Sequence, residues 1–469
     1  MATDRKRGFD WNKSMPHAFA IIIVIVLLSA VLTWIVPAGQ FDRVENEELG
    51  RELVVPGSYH AVDRSPVGPW GCVKSLYDGM VESADIIFFI LIAYGYVFML
   101  LKTGAIDSLV GAMLRRLGRN ERLLIPAFML LFGVAGSTFG MYEETYGLIP
   151  AFIAIAITLG YDGLVGGAIV FVGVATGFAA ATLNPFTVGI AQGIAQVTPS
   201  GKFMAFRVAA WAAFMALSVG YTMWYAAKVK KDPEASYVKG VNFRGVEGKS
   251  REEVMALSFT GAHKLSLLGF VLVIAAVVVG VTGFGFYLSE LSAIFIVAIA
   301  YTGIVNRMKF GRICDLFIEG ASNAVFGALM VGLARAIQVV LTDANIIDTI
   351  VNSLANAIQG FHQFFAAAAM LVVQNIVNFF IPSGSGQAVV MMPIMAPLSD
   401  LLGLSREVAI TAYQFGDGFS NMFWPTAVAT ECAIMGISMD RWYKFITPLF
   451  LMMFALQAVF ITIGVFIGI

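Results

Sequence analysis

Two stretches of this chain, near 76–228 and 317–468, carry the same landmarks in the same order. Asp78-Gly79 and Ile106-Asp107 in the first are answered by Glu319-Gly320 and Ile347-Asp348 in the second, at equal separation. Gly147-Leu148-Ile149-Pro150 is answered by Val390-Met391-Met392-Pro393. Gly177-Phe178 running to Pro185 is answered by Gly418-Phe419 running to Pro425. Such a chain is expected to fold as two copies of one unit, and the solvent of those units is set by what lies between the landmarks.

Residues 265–289 and 445–469 carry no charged side chain, nor do the longer runs 163–201 and 363–399. About 20 mostly apolar residues suffice to cross a bilayer as a helix. Of the 469 residues, 58% are hydrophobic and 13% charged, against about half and about a quarter in soluble domains. The chain therefore reads as an all-α polytopic membrane protein whose first partner is the lipid bilayer. A net charge of -1 argues against nucleic acid as a partner. Cys72, Cys314 and Cys432 lie far apart and show no metal or redox spacing. No metal, catalytic nucleophile or GxxxxGK[ST] motif is present, so neither an enzyme nor an ATP-driven pump is expected. Arg5-Lys6-Arg7 precedes the apolar run 18–36 with no small-residue cleavage site after it, which reads as a retained first helix.

Lys and Arg concentrate in cytoplasmic loops. Arg5, Lys6, Arg7 and Lys13, the stretch Arg115 to Arg122, and the linker from Lys228 to Lys264 are basic, which places the N-terminus in the cytoplasm. The loop after Ile106-Asp107 is basic, whereas the loop after Ile347-Asp348 has no Lys or Arg through Gln363. Equivalent loops on opposite sides make the repeats inverted. The expected divisions are 1–75, an N-terminal helix plus an extracytoplasmic β-hairpin cap; 76–228, the first inverted repeat; 229–316, a cytoplasmic linker and two connecting helices; and 317–469, the second repeat. Twelve helices are expected, near 18–36, 86–103, 122–136, 146–160, 163–180, 206–228, 264–284, 290–306, 318–341, 363–380, 406–420 and 444–468. Segments 105–118 and 345–359 read as amphipathic.

Four polar breaks interrupt the apolar sequence: 133–147, 179–187, 378–387 and 416–426. Breaks one and three are repeat mates, as are two and four. Irregular backbone survives at membrane depth only under protein or in a water-filled cavity, so two re-entrant hairpins and two unwound helices meeting at one site are expected. This is the layout of secondary transporters. Ser137, Thr138, Glu143 and Glu144 lie in break one and Asn184 in break two. Ser383, Gly384, Ser385 and Gln387 lie in break three, and Asp417, Ser420 and Asn421 in break four. Prolines 185 and 425 each free a carbonyl one turn earlier. Those carbonyls, with Asn184 and Asn421, could hold a sodium ion. An ionisable residue within the bilayer is a functional candidate by default. Glu143 and Glu144 suit a basic group or a proton, Arg335 either an intramembrane acid or a substrate carboxylate, and Glu431 a coupling ion.

The stretches GMYEETYGLIP, IPSGSGQAVVMMPIMAPLSDLLG, QFGDGFSNMFWPT and PHAFAIIIVIVLLSAVLTWIVPAGQFDR resemble the YfcC-like branch of the C4-dicarboxylate anaerobic carrier-like transporters. The resemblance spans nearly the whole chain. It implies an ion transporter superfamily fold with elevator-type movement, a homodimer, and the bacterial cytoplasmic (inner) membrane. It also implies a basic amino-acid antiporter, of arginine, ornithine or lysine. Dicarboxylate carriers of the wider superfamily show Ser-Asn-Thr at the hairpin tips, and this chain has MYEET and SGSGQ instead. The expected activity is thus secondary transport of a basic amino acid, with Na+ or H+ coupling open. The alternative is a sodium- or proton-coupled carrier of a C4-dicarboxylate or short-chain acid.

Overall fold

Nine helices among the described residues are long and apolar enough to cross a membrane. The computed structural model describes residues 17–46, 51–198, 200–243 and 251–469. The expected basic positions Arg5, Lys6, Arg7, Lys13, Arg244 and Lys249 lie outside these. Helix α1 (Ala18–Ile35) leads into four short strands: β1 (Gly39–Gln40), β2 (Arg43–Asn46), β3 (Arg51–Val54) and β4 (His60–Ala61). Strand β2 pairs antiparallel with β3, and β1 with β4, so one hairpin nests inside another.

Helices α2 (Pro69–Glu82) and α3 (Ala84–Lys102) follow, then α4 (Ala105–Leu117), α5 (Leu124–Phe139), α6 (Ile149–Thr158), α7 (Gly163–Ala179), α8 (Ile190–Ala195) and α9 (Gly201–Lys231). Helices α10 (Arg251–Ala256), α11 (Gly261–Phe284) and α12 (Leu288–Val305) connect to the second half. That half comprises α13 (Phe310–Asp343), α14 (Ile347–Ile358), α15 (Gln363–Phe380), α16 (Gly384–Leu401), α17 (Arg406–Ser420), α18 (Pro425–Met435) and α19 (Met439–Ile467). Side-chain oxygens cap several starts: Asp162 accepts from Val165 N at 3.0 Å, Ser200 from Phe203 N at 3.0 Å and Ser405 from Val408 N at 3.1 Å. Each satisfies one of the amides that a helix start leaves without an intrahelical partner.

Residues 69–82, for which the sequence reading expects no helix, form α2. Pro69 opens the helix at its first turn, where its missing N–H costs nothing. Cys72, Ser75 and Gly79 then give α2 a face of small buried residues. A Cβ at Gly79 would sit 2.4 Å from Gly332 O and 2.6 Å from Ala336 N of α13, so only glycine permits this approach. A Cβ at Gly320 of α13 would sit 2.8 Å from Gly95 Cα of α3. Residue 79 thus faces 332–336 while 95 faces 320, so the α2–α3 pair and α13 run antiparallel.

Three expected spans, now α6, α7 and α17, are not among the nine long apolar helices. They are buried along nearly their whole length. A helix wrapped in protein can stop short of the bilayer surface, because its ends are covered by other chain rather than lipid. Helices α7 and α17 touch directly, since a Cβ at Gly418 would fall 2.3 Å from Ala179 Cα. Break three is also shorter than expected: α16 begins at Gly384, leaving only 381–383 outside helix.

Candidate functional site

All four breaks come together. Helix α5 stops at Gly140, whose φ of 70° is left-handed and suited to glycine. A Cβ there would lie 2.4 Å from Asn184 Oδ1, so break one rests on break two. Ser137 bridges the same pair, accepting Thr182 N on both its Oγ and its carbonyl at 3.0 Å. A Cβ at Gly384 would lie 2.6 Å from Thr187 Cγ2 and 3.1 Å from Asp417 Oδ2, so break three touches breaks two and four.

A cavity of about 430 Å³ opens at this junction. Of the expected site residues, Glu143, Glu144, Ser383, Gly384, Ser385 and Asn421 line it. Ser137, Thr138, Asn184, Gln387, Asp417 and Ser420 do not line it and instead bond within the protein. Thr138 donates to Val134 O of its own helix at 2.6 Å, and Ser420 to Asp417 O at 2.9 Å. Asn184 Oδ1 accepts Phe186 N at 2.9 Å. Gln387 Nε2 reaches Gln374 Oε1 at 2.7 Å, and Asp417 Oδ1 accepts Asn378 Nδ2 at 2.6 Å.

The cavity collects charge from both halves. Glu143 and Glu144 come from the 3-10 turn before α6, where Glu144 Oε2 accepts Tyr142 N at 2.8 Å. Glu431 comes from α18 and is 1% exposed. Its Oε1 accepts the Tyr146 hydroxyl at 2.8 Å, and its Oε2 has no hydrogen-bond partner. Arg335 comes from α13 and donates Nη1 to Gln338 Oε1 at 2.6 Å, a neutral partner. The two readings of Arg335 open in the sequence therefore divide: its bond goes to an amide, and the side chain lines the cavity beside the acids. The first turn of α16 (Ser383 at its cap, Gly384 and Ser385) also faces the cavity, presenting amides at the positive end of the helix dipole.

Beneath the tip of α16, three buried oxygens have no hydrogen-bond partner among the described residues: Asp417 Oδ2, Asn378 Oδ1 and Thr187 Oγ1. Hard oxygen donors of this kind suit a small cation or a proton. The carbonyl freed by Pro185 is that of Ala181, and it is already taken by Nη2 of buried Arg207. That carbonyl, expected to serve a cation, therefore already accepts one donor, from a guanidinium on α9. Arg207 gave no signal in the sequence, nor did Tyr287, which reaches the cavity from the start of α12, outside both expected repeats. Tyr142 and Tyr146 could have been found, since they flank the glutamates inside the first break.

The sequence profile of the family described as C4-dicarboxylate anaerobic carrier matches residues 15–466. The chain belongs to that family. Carriers of this family are membrane transporters, not enzymes, and this one is a multi-pass transporter of small molecules. It is 32% identical over 499 residues to an Escherichia coli (strain K12) protein named "Putative basic amino acid antiporter YfcC", covering 97% of each chain. It is 28% identical over 493 residues to an uncharacterized protein of Haemophilus influenzae, covering 96% of each. Among solved structures, the YdaH transporter of Alcanivorax borkumensis is matched at a TM-score of 0.45 and 15% identity, over 97% of this chain and 99% of that one. MtrF of Neisseria gonorrhoeae is matched at 0.44 and 18%, over 97% and 96%.

Proposed function

We propose that this carrier exchanges basic amino acids such as arginine, ornithine or lysine. The observation that carries the reading is the charge inventory of one cavity: Glu143, Glu144 and Glu431 against Arg335. A basic amino acid offers two cationic groups and one carboxylate, which complements three acids and one guanidinium. Arg335 and the first-turn amides of α16 would take the α-carboxylate, since guanidinium and helix N-termini both favour anions. The three glutamates would take the ammonium and side-chain cations. A dicarboxylate would bring two negative charges against three, which is repulsive at these separations.

The reading includes alternating access by two inverted halves. Antiparallel packing of α2–α3 on α13 supports it, as does the match of lengths. Residues 69–102 and α13 both span 34 residues. Coupling to Na+ or H+ would run through Asp417, Asn378 and Thr187.

The test is uptake of labelled arginine into proteoliposomes loaded with ornithine, succinate or nothing. Uptake that requires internal ornithine is the expected result. Liposomes that move succinate and never arginine, under any loading or ion gradient, would return the site to a carboxylate.

A further inference from the structure

A second cavity, of about 550 Å³, lies between the strand cap and α16. The 381–386 segment, which runs into the first turn of α16, contributes to the walls of both cavities. Ile381 and Gly386 line the second cavity, whereas Pro382 to Ser385 line the first. Gln338 lines the second cavity, and its Oε1 accepts Nη1 of Arg335, which lines the first. One amide of the second chamber thus bonds a guanidinium of the first.

Among the described residues, the charged side chains lining this second cavity are Arg43, Asp348 and Glu52. Arg43 and Asp348 neutralise each other: Nη2 lies 3.0 and 2.9 Å from the two carboxylate oxygens. Among the described residues, Glu52 is the lining charge without an ion-pair partner. Its cross-strand partner is Glu45, so two carboxylates stand directly opposite each other on one side of the hairpin. Like charges in that position cost sheet stability, and a cation beside them offsets the cost.

The geometry points to this chamber being an outer binding site for a small organic cation, where Glu52 holds the cationic end of a substrate before the 381–386 segment admits it. That the cation is a basic amino acid rests on the function proposed above. The chamber itself does not depend on that function, because its charge and its shared wall are set by the cap and α16. Arginine held here would lie one segment away from Arg335, with Gln338 sensing both positions.

The experiment places Val389→Cys, which lines this chamber, in the full-length chain with Cys314→Ser, the other two native cysteines being buried. Modification rates are compared for a quaternary-ammonium and a sulfonate methanethiosulfonate, with and without millimolar L-arginine. The cationic reagent is expected to react about tenfold faster, a preference that Glu52→Lys reverses. Arginine is expected to slow the reaction severalfold, and equally in a Glu143→Gln background. No protection by arginine in a protein that takes arginine up would overturn the outer site and leave the proposed function standing. Protection without uptake under any gradient would support the outer site and sink the function. Neither protection nor uptake would sink both.

Discussion

The Tyr146 hydroxyl donates to Glu431 Oε1 at 2.8 Å and ties break one to the helix after break four. It is a bond between the two halves of the chain, made inside the cavity that holds the charges. Removing it by Tyr146→Phe leaves a buried carboxylate oxygen short of a donor, at about 1–3 kcal/mol. The expected result is a KM for arginine raised about tenfold. Glu431→Gln is expected to cost more, because the charge itself is lost. Uptake kinetics in proteoliposomes check both, and an unchanged KM in Glu431→Gln would remove this residue from the site.

Arg335 has a more selective test. Arginine and agmatine differ by the α-carboxylate alone. If Arg335 receives that group, the wild-type protein prefers arginine to agmatine, and Arg335→Gln abolishes the preference while weakening arginine about tenfold or more. Competition of each compound against labelled arginine gives the ratio. A retained preference would assign the carboxylate elsewhere.

Gly384 sits where breaks two, three and four meet. In Gly384→Ala the new methyl lands 2.6 Å from Thr187 Cγ2, so the tip of α16 must shift at about 1–3 kcal/mol. Lower thermal stability and slower transport are expected. Thr187→Ser removes the offending methyl and keeps the hydroxyl, so the double variant should recover much of both. Failure of the rescue would mean that Asp417 Oδ2, at 3.1 Å, dominates the clash.

The strand cap is held to α14 through Asp348, which accepts Arg43 Nη2 and Phe41 N at 3.0 Å. Asp348 is 4% exposed, and the ion pair is open on the Arg43 side, so its net worth is about 1 kcal/mol. Asp348→Asn should speed hydrogen exchange at the Phe41 amide roughly fivefold, with the membrane helices unaffected. Exchange that spreads to α13 would show that the cap and the helices open together.

The sequence by itself determined the membrane class and the polar breaks in its apolar runs. These are local properties: uncharged length, and glycine, proline and polar residues at fixed places within it. The same signals brought Glu143, Glu144 and the SGSGQ tip to attention, because a charge or a glycine cluster is conspicuous in apolar surroundings. Which of the polar residues face one another depends on how helices cross, and crossing is decided by packing between residues far apart in the chain. Tertiary structure alone joined Tyr146 to Glu431 across 285 residues and turned Asp417 inward toward Asn378. It gave the carbonyl freed by Pro185 to Arg207, and it turned Arg335 toward the cavity with an amide, Gln338, as its hydrogen-bond partner. It also docked α2 on α13, because the small face that sets Gly79 against Gly332 has no partner until α13 arrives, far later in the chain.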